Sequence, residues 1–501
     1  MDSSESETSL PEKTGRRRLS LFDTTCIIVG IIIGSTIFES LPFIAYNVVE
    51  PSHQAYSWFV ALTDKPRGLD VTDVQRTVYQ GSAGLEYELV AGAGLRFAWV
   101  LGGLLALIGA LCLAELATTY PEDGGIFVYL KRAYGNGCAV AYVWMEFLLI
   151  RPGNIGAVAF VAAVYMQQLC PLPPGWWSAE AIWALILVTG ITLVNLLGFV
   201  LEKWMQNGLT VAKILGLVTV VIVAWWWPLP NNYQFPPTFR GPPQSFAVAM
   251  TLIMFAYGGW SDMVYVAAEV REPKKNLFRS LALGVTAVTA IYLIVVDSFL
   301  HALPFRAIRN GSAVAAELMS LHFGERGANF ISALVVISCL GSVHGMLFTS
   351  SRVLYAAGKQ HRLMRWLGAW NERWGVPIRA LFLQGFLTLI LIVVFGQSKS
   401  GFTQLVNFTA PFYFGFLGLV ALALVLLRYN DRQSERPYLV PFYPITPFIF
   451  GATSLAMTIS CSLYLWQNLQ GWQWIWVVFV VGLAVTAPWL DRRQQVREKV
   501  A

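Results

Sequence analysis

The chain has 501 residues, 56% of them hydrophobic and 13% charged, with 35 Lys and Arg against 29 Asp and Glu for a formal net charge of +6. Soluble domains carry roughly 25% charged and 45–50% apolar residues, so a soluble enzyme is excluded, and about a dozen apolar runs exclude a singly anchored receptor. A charge of +6 gives no reason to expect a nucleic-acid partner; its placement along the chain is what informs.

In chain order, residues 1–21 form a polar cytoplasmic tail with no cleavable signal, ending in Arg16, Arg17 and Arg18. Apolar runs then predict spans near 22–45, 97–118, 138–168, 180–199, 205–227, 245–268, 280–303, 328–354, 378–395, 402–427, 442–466 and 472–490. Each is close to the ~20 residues that a membrane helix needs, and far longer than the ~10-residue alternating strands of a membrane barrel. The fold expected is therefore an all-α polytopic membrane protein of about twelve helices: a ten-helix core over 22–427, two additional helices in 428–490 and a second cytoplasmic tail at 491–501. Residues 46–96, with Asp64, Lys65, Arg67, Asp70, Asp73, Arg76, Glu86 and Glu88, read as an external insertion that acts as a cap or solvated loop. Loops on the side of the N-terminus hold 24 Lys and Arg and those on the other side 9, so both termini are expected in the cytoplasm.

The six cysteines, Cys26, Cys112, Cys138, Cys170, Cys339 and Cys461, are scattered and none forms a CxxC pair. Neither a metal site nor a disulfide scaffold is expected, and no cofactor.

Two spans are interrupted. The first reads IIVGIIIGSTIFES, with Gly30 and Gly34 followed by Ser35 and Thr36; the sixth reads MTLIMFAYGGWSDMVYVAAEV, with Gly258 and Gly259 midway. Glycine inside a helix costs up to ~1 kcal/mol, and one such break could merely let helices approach closely. Two matched breaks five spans apart point instead to a transporter's midplane site and a five-plus-five inverted repeat. Unwound backbone exposes N–H groups at one half-helix end and C=O groups at the other, which together hold a carboxylate and an ammonium. A zwitterionic amino acid carries both.

The segments GIIIGSTIF, CLAELATTYPEDGG, FAYGGW, AEVREPKKNLFRS and LFTSSRVLYAAGKQHRLM, in this order, resemble the amino acid-polyamine-organocation superfamily, in particular its L-type amino acid transporter group, over about residues 20–430 apart from 46–96. The resemblance implies the leucine-transporter-type repeat, alternating access, and amino acid exchange or uptake. It implies that Gly34, Ser35 and Thr36 match the turn whose N–H groups take the substrate carboxylate, and that the Ile32 carbonyl faces the amino group. Phe255 matches a gating aromatic, Ala256 and Gly258 match positions with carbonyls near the amino group, and Ser261 stands near the side-chain pocket where eukaryotic members have Asn. Thr36 departs from the family's glycine, and a β-branched residue there narrows the backbone choices.

Ionisable groups at membrane depth are functional candidates. By the resemblance, Lys213 puts its ammonium where sodium sits in sodium-coupled relatives, bridging the first and eighth helices, which disfavours sodium coupling; the alternative is a lysine snorkelling to the interface. Glu39 and Asp262 lie just past the two breaks and line the substrate path or take a proton, while Asp262 serves equally as an N-cap. Arg151, before Pro152 and Gly153, is expected to bind carbonyls freed at a kink. Asp297 is expected to contact water at the outer end of its span. His344 replaces a family Asn; a pH sensor near Lys213 is the sharper reading and a hydrogen-bonded packing histidine the plainer one. Cys170 sits in a CP pair resembling that of light chains which bond a glycoprotein heavy chain, but the expectation is an unpaired packing cysteine and no heavy-chain subunit.

The function expected is a secondary transporter of amino acids, with neutral side chains favoured by Phe255 and Trp260, working by sodium-independent exchange or proton-coupled uptake. The alternatives are a cationic amino acid or organic-amine permease, or a non-transporting sensor. An intramembrane enzyme is not expected, since HExxH is absent and His344 has no evident nucleophile partner. A bacterial inner membrane is the expected location.

Overall fold

A computed structural model describes residues 20–33, 37, 38, 40–48, 82–122, 124–173, 175, 177–196, 199–227, 246–311, 313–360, 362–371, 373, 374, 376–396, 401–468, 473–475, 477, 478, 481, 482, 485 and 486. Of the residues expected at the substrate site or coupling path, Gly34, Ser35, Thr36 and Glu39 lie outside this set, as does most of 46–96.

Among the described residues the regular structure is helical, with an isolated β-bridge between Asn371 and Val376 and no strand. The chain order is α1 (Leu21–Ile32), a helical stretch at 40–48, α2 (Ser82–Thr119), α3 (Ile126–Tyr134), α4 (Asn136–Met145), α5 (Arg151–Leu169), α6 (Ala179–Leu196), α7 (Phe199–Trp226) and α8 (Phe246–Ala256). There follow α9 (Pro273–Ala302), α10 (Phe305–Asn310), α11 (Val314–Gln360), α12 (Ile378–Phe395), α13 (Gly401–Asn430) and α14 (Ile445–Asn468). A π turn, Glu146–Ile150, joins α4 to α5, and a 3-10 helix, Trp260–Glu269, follows α8. Among the described residues eight helices are long and apolar enough to cross a membrane, and Lys213–Trp226 and Phe246–Ala256 are shorter apolar helices.

Two boundaries differ from the sequence reading. The helix α2 begins at Ser82, inside the stretch expected to be an insertion, because its first turns need no lipid-compatible side chains to continue a helix that is already nucleated downstream. Likewise α11 begins at Val314 and bends at Gly324, whose φ of 61° only glycine adopts readily.

The core is apolar, and the surface departs from that of a soluble protein. Large apolar side chains such as Phe97, Leu104, Ile186, Leu193, Leu283 and Phe382 face outward, while Glu115, Glu146, Lys213, Gln384 and Asn407 are buried. That is what a lipid-facing bundle requires, since a polar group facing hydrocarbon is unsatisfied. The helices α13 and α14 pack extensively on each other, as do α2 and α9, and α5 and α11. Close approach comes from small residues: a Cβ on Gly102 would fall 2.2 Å from Ile253, and one on Gly109 would fall 2.7 Å from Trp260, so α2 sits tightly against α8 and the 3-10 helix.

At one end of the bundle a carboxylate gathers the chain. Glu115, fully buried on α2, accepts from Arg428 Nε at 2.6 Å, from Arg436 at 3.5 Å and from the Val440 N–H at 2.7 Å, tying α13 and the segment after it to α2. Beside it Tyr120 donates to Asp431 at 2.8 Å, and Ser434 donates to the same oxygen at 2.6 Å. These hydroxyls, Ser434 first, hold the Asp431 carboxyl below the usual carboxylate range.

Candidate functional site

Both expected interruptions fall among glycines, and the second is described throughout. The helix α8 stops at Ala256, residues 257–259 form a turn, and the chain resumes as the 3-10 helix. In that turn the Gly258 N–H donates to the Phe255 carbonyl at 2.9 Å, and a Cβ on Gly258 would stand 2.8 Å from that same oxygen. Gly259 has φ of 106°, in the region that side chains disfavour. The glycine pair is thus what lets the helix break here. The first span is helical to Ile32, leaves the helix at Ile33 and is helical again at 37, 38 and 40–48; residues 34–36 and 39 lie outside the described residues.

The two breaks meet at Tyr292. This tyrosine of α9 is fully buried, and its hydroxyl lies 2.8 Å from the Ile32 carbonyl and 3.0 Å from the Ala256 carbonyl. The last carbonyls of the first halves of both interrupted helices therefore converge on one point. These are two of the carbonyls expected near a substrate amino group. Each carbonyl oxygen has two lone pairs, so accepting from Tyr292 leaves capacity for a second donor. The Tyr292 ring is wedged against Trp99 and Tyr257, both with centroids at 5.3 Å.

The remaining candidates are distributed around this point. Phe255 packs edge-on against Phe402 of α13 at 5.9 Å, and Phe402 reaches Phe43 at 6.2 Å, so an aromatic chain joins the sixth-span break, α13 and the second half of the first span. Ser261 is buried, with its hydroxyl 3.2 Å from that of Tyr413 on α13. Lys213 is 3% exposed and donates to Ser342 of α11 at 2.8 Å. This joins it to the expected eighth helix and is not the geometry of a snorkelling side chain; the first-helix side of the bridge lies outside the described residues. His344 is buried two residues beyond Ser342. Residues two apart on a helix point about 200° from each other, so His344 and Ser342 present different faces.

Asp262 is the third residue of the 3-10 helix, past any N-cap position, and its carboxylate goes to Arg151 through Nη1 at 3.1 Å and through Nη2. Arg151 also holds Glu146 through Nε. Arg151, expected to bind freed carbonyls, pairs with two carboxylates. The π turn one residue before it carries Glu146 onto the guanidinium: five residues separate Glu146 from Arg151, one more than a regular helical turn brings together. Asp297 is half-exposed and pairs with Arg96 at 2.5 Å. Cys170 is exposed after α5, so it is not the packing residue expected. Among the described residues no group of His, Cys, Asp and Glu has the arrangement of a metal site.

Sequence reading missed Tyr292, Ser342, Tyr413 and Glu146. Tyr292, Ser342 and Tyr413 are single polar groups in apolar runs whose partners lie on other helices, from 36 residues away for Ala256 to 260 for Ile32, while Glu146 is brought onto Arg151, five residues on, by the π turn.

Comparison with known proteins identifies the family. The amino acid permease family profile matches residues 81–486. The serine/threonine exchanger SteT of Bacillus subtilis is 27% identical over 391 residues, covering 75% of this chain and 86% of that protein. The human b(0,+)-type amino acid transporter 1 is 27% identical over 396 residues, covering 76% and 77%, and the human cystine/glutamate transporter is 27% identical over 464 residues, covering 90% and 81%. The apolar helices and these relatives identify a multi-pass membrane protein that is a permease and not an enzyme. The chain belongs to the amino acid permease family, within the amino acid-polyamine-organocation superfamily.

Proposed function

We propose that this protein exchanges neutral amino acids across the membrane without sodium, binding them between its two helix breaks and moving them by alternating access. The observation that carries this reading is the convergence of the Ile32 and Ala256 carbonyls on the Tyr292 hydroxyl. An α-ammonium needs clustered carbonyl acceptors of this kind, and the resemblance implies that Gly34, Ser35 and Thr36 supply N–H groups for the carboxylate. Phe255, with Phe402 and Phe43 behind it, closes the site from one side, and Ser261 with Tyr413 bounds the side-chain pocket. Apolar and hydroxyl-bearing walls suit neutral side chains. Of the two carboxylates that a cationic substrate could use, Asp262 is already taken by Arg151 and Glu39 lies outside the described residues.

Lys213 supports sodium independence. Its buried ammonium, anchored on Ser342, supplies a fixed positive charge where a coupling cation would otherwise sit. Twelve spans, a five-plus-five repeat, cytoplasmic termini and a bacterial inner membrane complete the reading. It needs no heavy-chain subunit.

The test is counterflow in sodium-free proteoliposomes, with unlabelled leucine inside and labelled amino acids outside. Accumulation of labelled leucine and serine that requires internal substrate, and that falls at least tenfold in Lys213→Ala, supports the reading. Lysine accumulating in place of leucine favours the cationic alternative; binding without flux favours a sensor.

A further inference from the structure

The proposed function leaves one charged cluster without a task. Glu146, Arg151 and Asp262 meet in the bundle, where Arg151 sits near the middle of the 34-residue span Asn136–Leu169. Their side chains are 8%, 11% and 17% exposed. A guanidinium stays protonated in proteins, so with both carboxylates ionised the cluster carries one uncompensated negative charge at membrane depth. Buried groups avoid such a charge by binding a proton.

The other groups facing the cluster do not supply the missing positive charge. Tyr413 from α13 and the Ser261 hydroxyl from the 3-10 helix are neutral. The helices α1, α2 and α9 also pack on the 3-10 helix, and among the described residues they bring no ion pair or hydrogen bond to Glu146 or Asp262. The two carboxylates are not equivalent. Asp262 takes Arg151 with both oxygens, the fork geometry of an ionised pair. Glu146 accepts through Oε1 alone, is the more buried of the two, and is fixed on the same segment as Arg151.

We propose that Glu146 is a proton-binding site whose occupancy is linked to the docking of Asp262 on Arg151. Asp262 belongs to the second half of the interrupted sixth span, the part that moves if the break is a hinge; Glu146 and Arg151 belong to the span it leaves. With Asp262 docked, two acids share one guanidinium and Glu146 holds a proton. With Asp262 withdrawn toward water, Arg151 and Glu146 form a neutral one-to-one pair and the proton leaves. Only the Glu146 O–H bond forms and breaks, and the proton comes from and returns to bulk water. A proton needs no cavity, which favours it over a substrate's cationic group as the missing charge. The proposal rests on the alternating-access reading and adds its coupling: each passage of Asp262 onto Arg151 takes up one proton.

The test uses the full chain in sodium-free proteoliposomes loaded with leucine, with labelled leucine exchange read over a series of pH values; in one-for-one exchange the protons carried in and out cancel, so the pH profile is the readout. Wild type is expected to show exchange that changes toward tenfold per pH unit through the titrating range. In Glu146→Gln, which carries the proton's neutrality permanently, and in Asp262→Asn, which removes the second acid from Arg151, the pH dependence falls below twofold. A flat pH profile in wild type overturns the proton site and leaves the transporter reading standing, as does a pH profile retained in Glu146→Gln. If no amino acid moves, melting of the detergent-solubilised proteins reads the site directly. A bound proton makes wild type lose stability relative to Glu146→Gln as pH rises, and a pH-independent difference overturns the proposal.

Discussion

Replacing Tyr292 by Phe isolates the contact that joins the two breaks. The ring stays, with its contacts to Trp99 and Tyr257 at 5.3 Å, and only the hydroxyl shared by the Ile32 and Ala256 carbonyls at 2.8 and 3.0 Å is lost. One O–H divided between two acceptors is worth about one hydrogen bond, and leaving buried carbonyls short of a donor costs about 1–3 kcal/mol. Since these carbonyls are also proposed acceptors for the substrate ammonium, the loss lets both half-helix ends relax away from the binding geometry. A share of about 1–2 kcal/mol in binding corresponds to a KM raised about 5- to 30-fold. The assay is initial-rate leucine exchange in sodium-free proteoliposomes over a range of external leucine, with melting temperature measured on the same preparations. A KM within twofold of wild type at unchanged melting temperature refutes the positioning role. A lowered KM also refutes it, because the hydroxyl would then be competing with the substrate for the carbonyls.

Four further outcomes are expected. Gly259→Ala forces a side chain into φ of 106° and costs about 1–3 kcal/mol; leucine exchange should fall severalfold, and wild-type rates would show that the turn does not need glycine. Glu115→Gln removes the carboxylate that Arg428, Arg436 and the Val440 N–H share. Breaking a buried pair costs about 3–5 kcal/mol, so its melting temperature should drop clearly, while Glu122→Gln, which removes a half-exposed ion pair with Arg132, should leave it nearly unchanged. Lys213→Met should lower exchange in sodium-free buffer at least tenfold, and wild-type exchange in that variant would contradict a role for the buried ammonium. For Asp431 the folded-state value is depressed, so its contribution is present above the ordinary carboxylate value of 3.8 and is lost as pH falls below it. Asp431→Asn should therefore melt below wild type at pH 7, with the gap closing below that value; a gap that persists in acid points to packing instead.

The sequence carried the helix breaks because their cause is local: Gly258 and Gly259 announce a turn whatever surrounds them, and the structure puts the end of α8 two residues before the first of them. The buried ammonium of Lys213 was legible for a similar reason, since a lysine inside an apolar run must find a partner. The identity of that partner was not legible, because Ser342 lies 129 residues away and a serine in a membrane helix gives no signal of its own. Arg151 was read through its neighbours Pro152 and Gly153, which suggested carbonyls. Its carboxylate partners depend on a π turn that advances Glu146 by one position, and on Asp262, 111 residues away. Tyr292 was the largest omission: in AVTAIYLIVV nothing distinguishes it from a packing aromatic until the ends of α1 and α8 are brought to it.

The central claim is that an amino acid binds between the two breaks with its ammonium on their carbonyls. The most direct measurement is an experimental structure of the full chain in sodium-free buffer, with saturating concentration of the neutral amino acid that exchanges fastest. The account predicts the amino nitrogen within hydrogen-bond distance of the Ile32 or Ala256 carbonyl, the carboxylate against the N–H groups of residues 34–36, and Phe255 over the ligand. Substrate bound elsewhere, or a sodium ion beside the Lys213 ammonium, would contradict it.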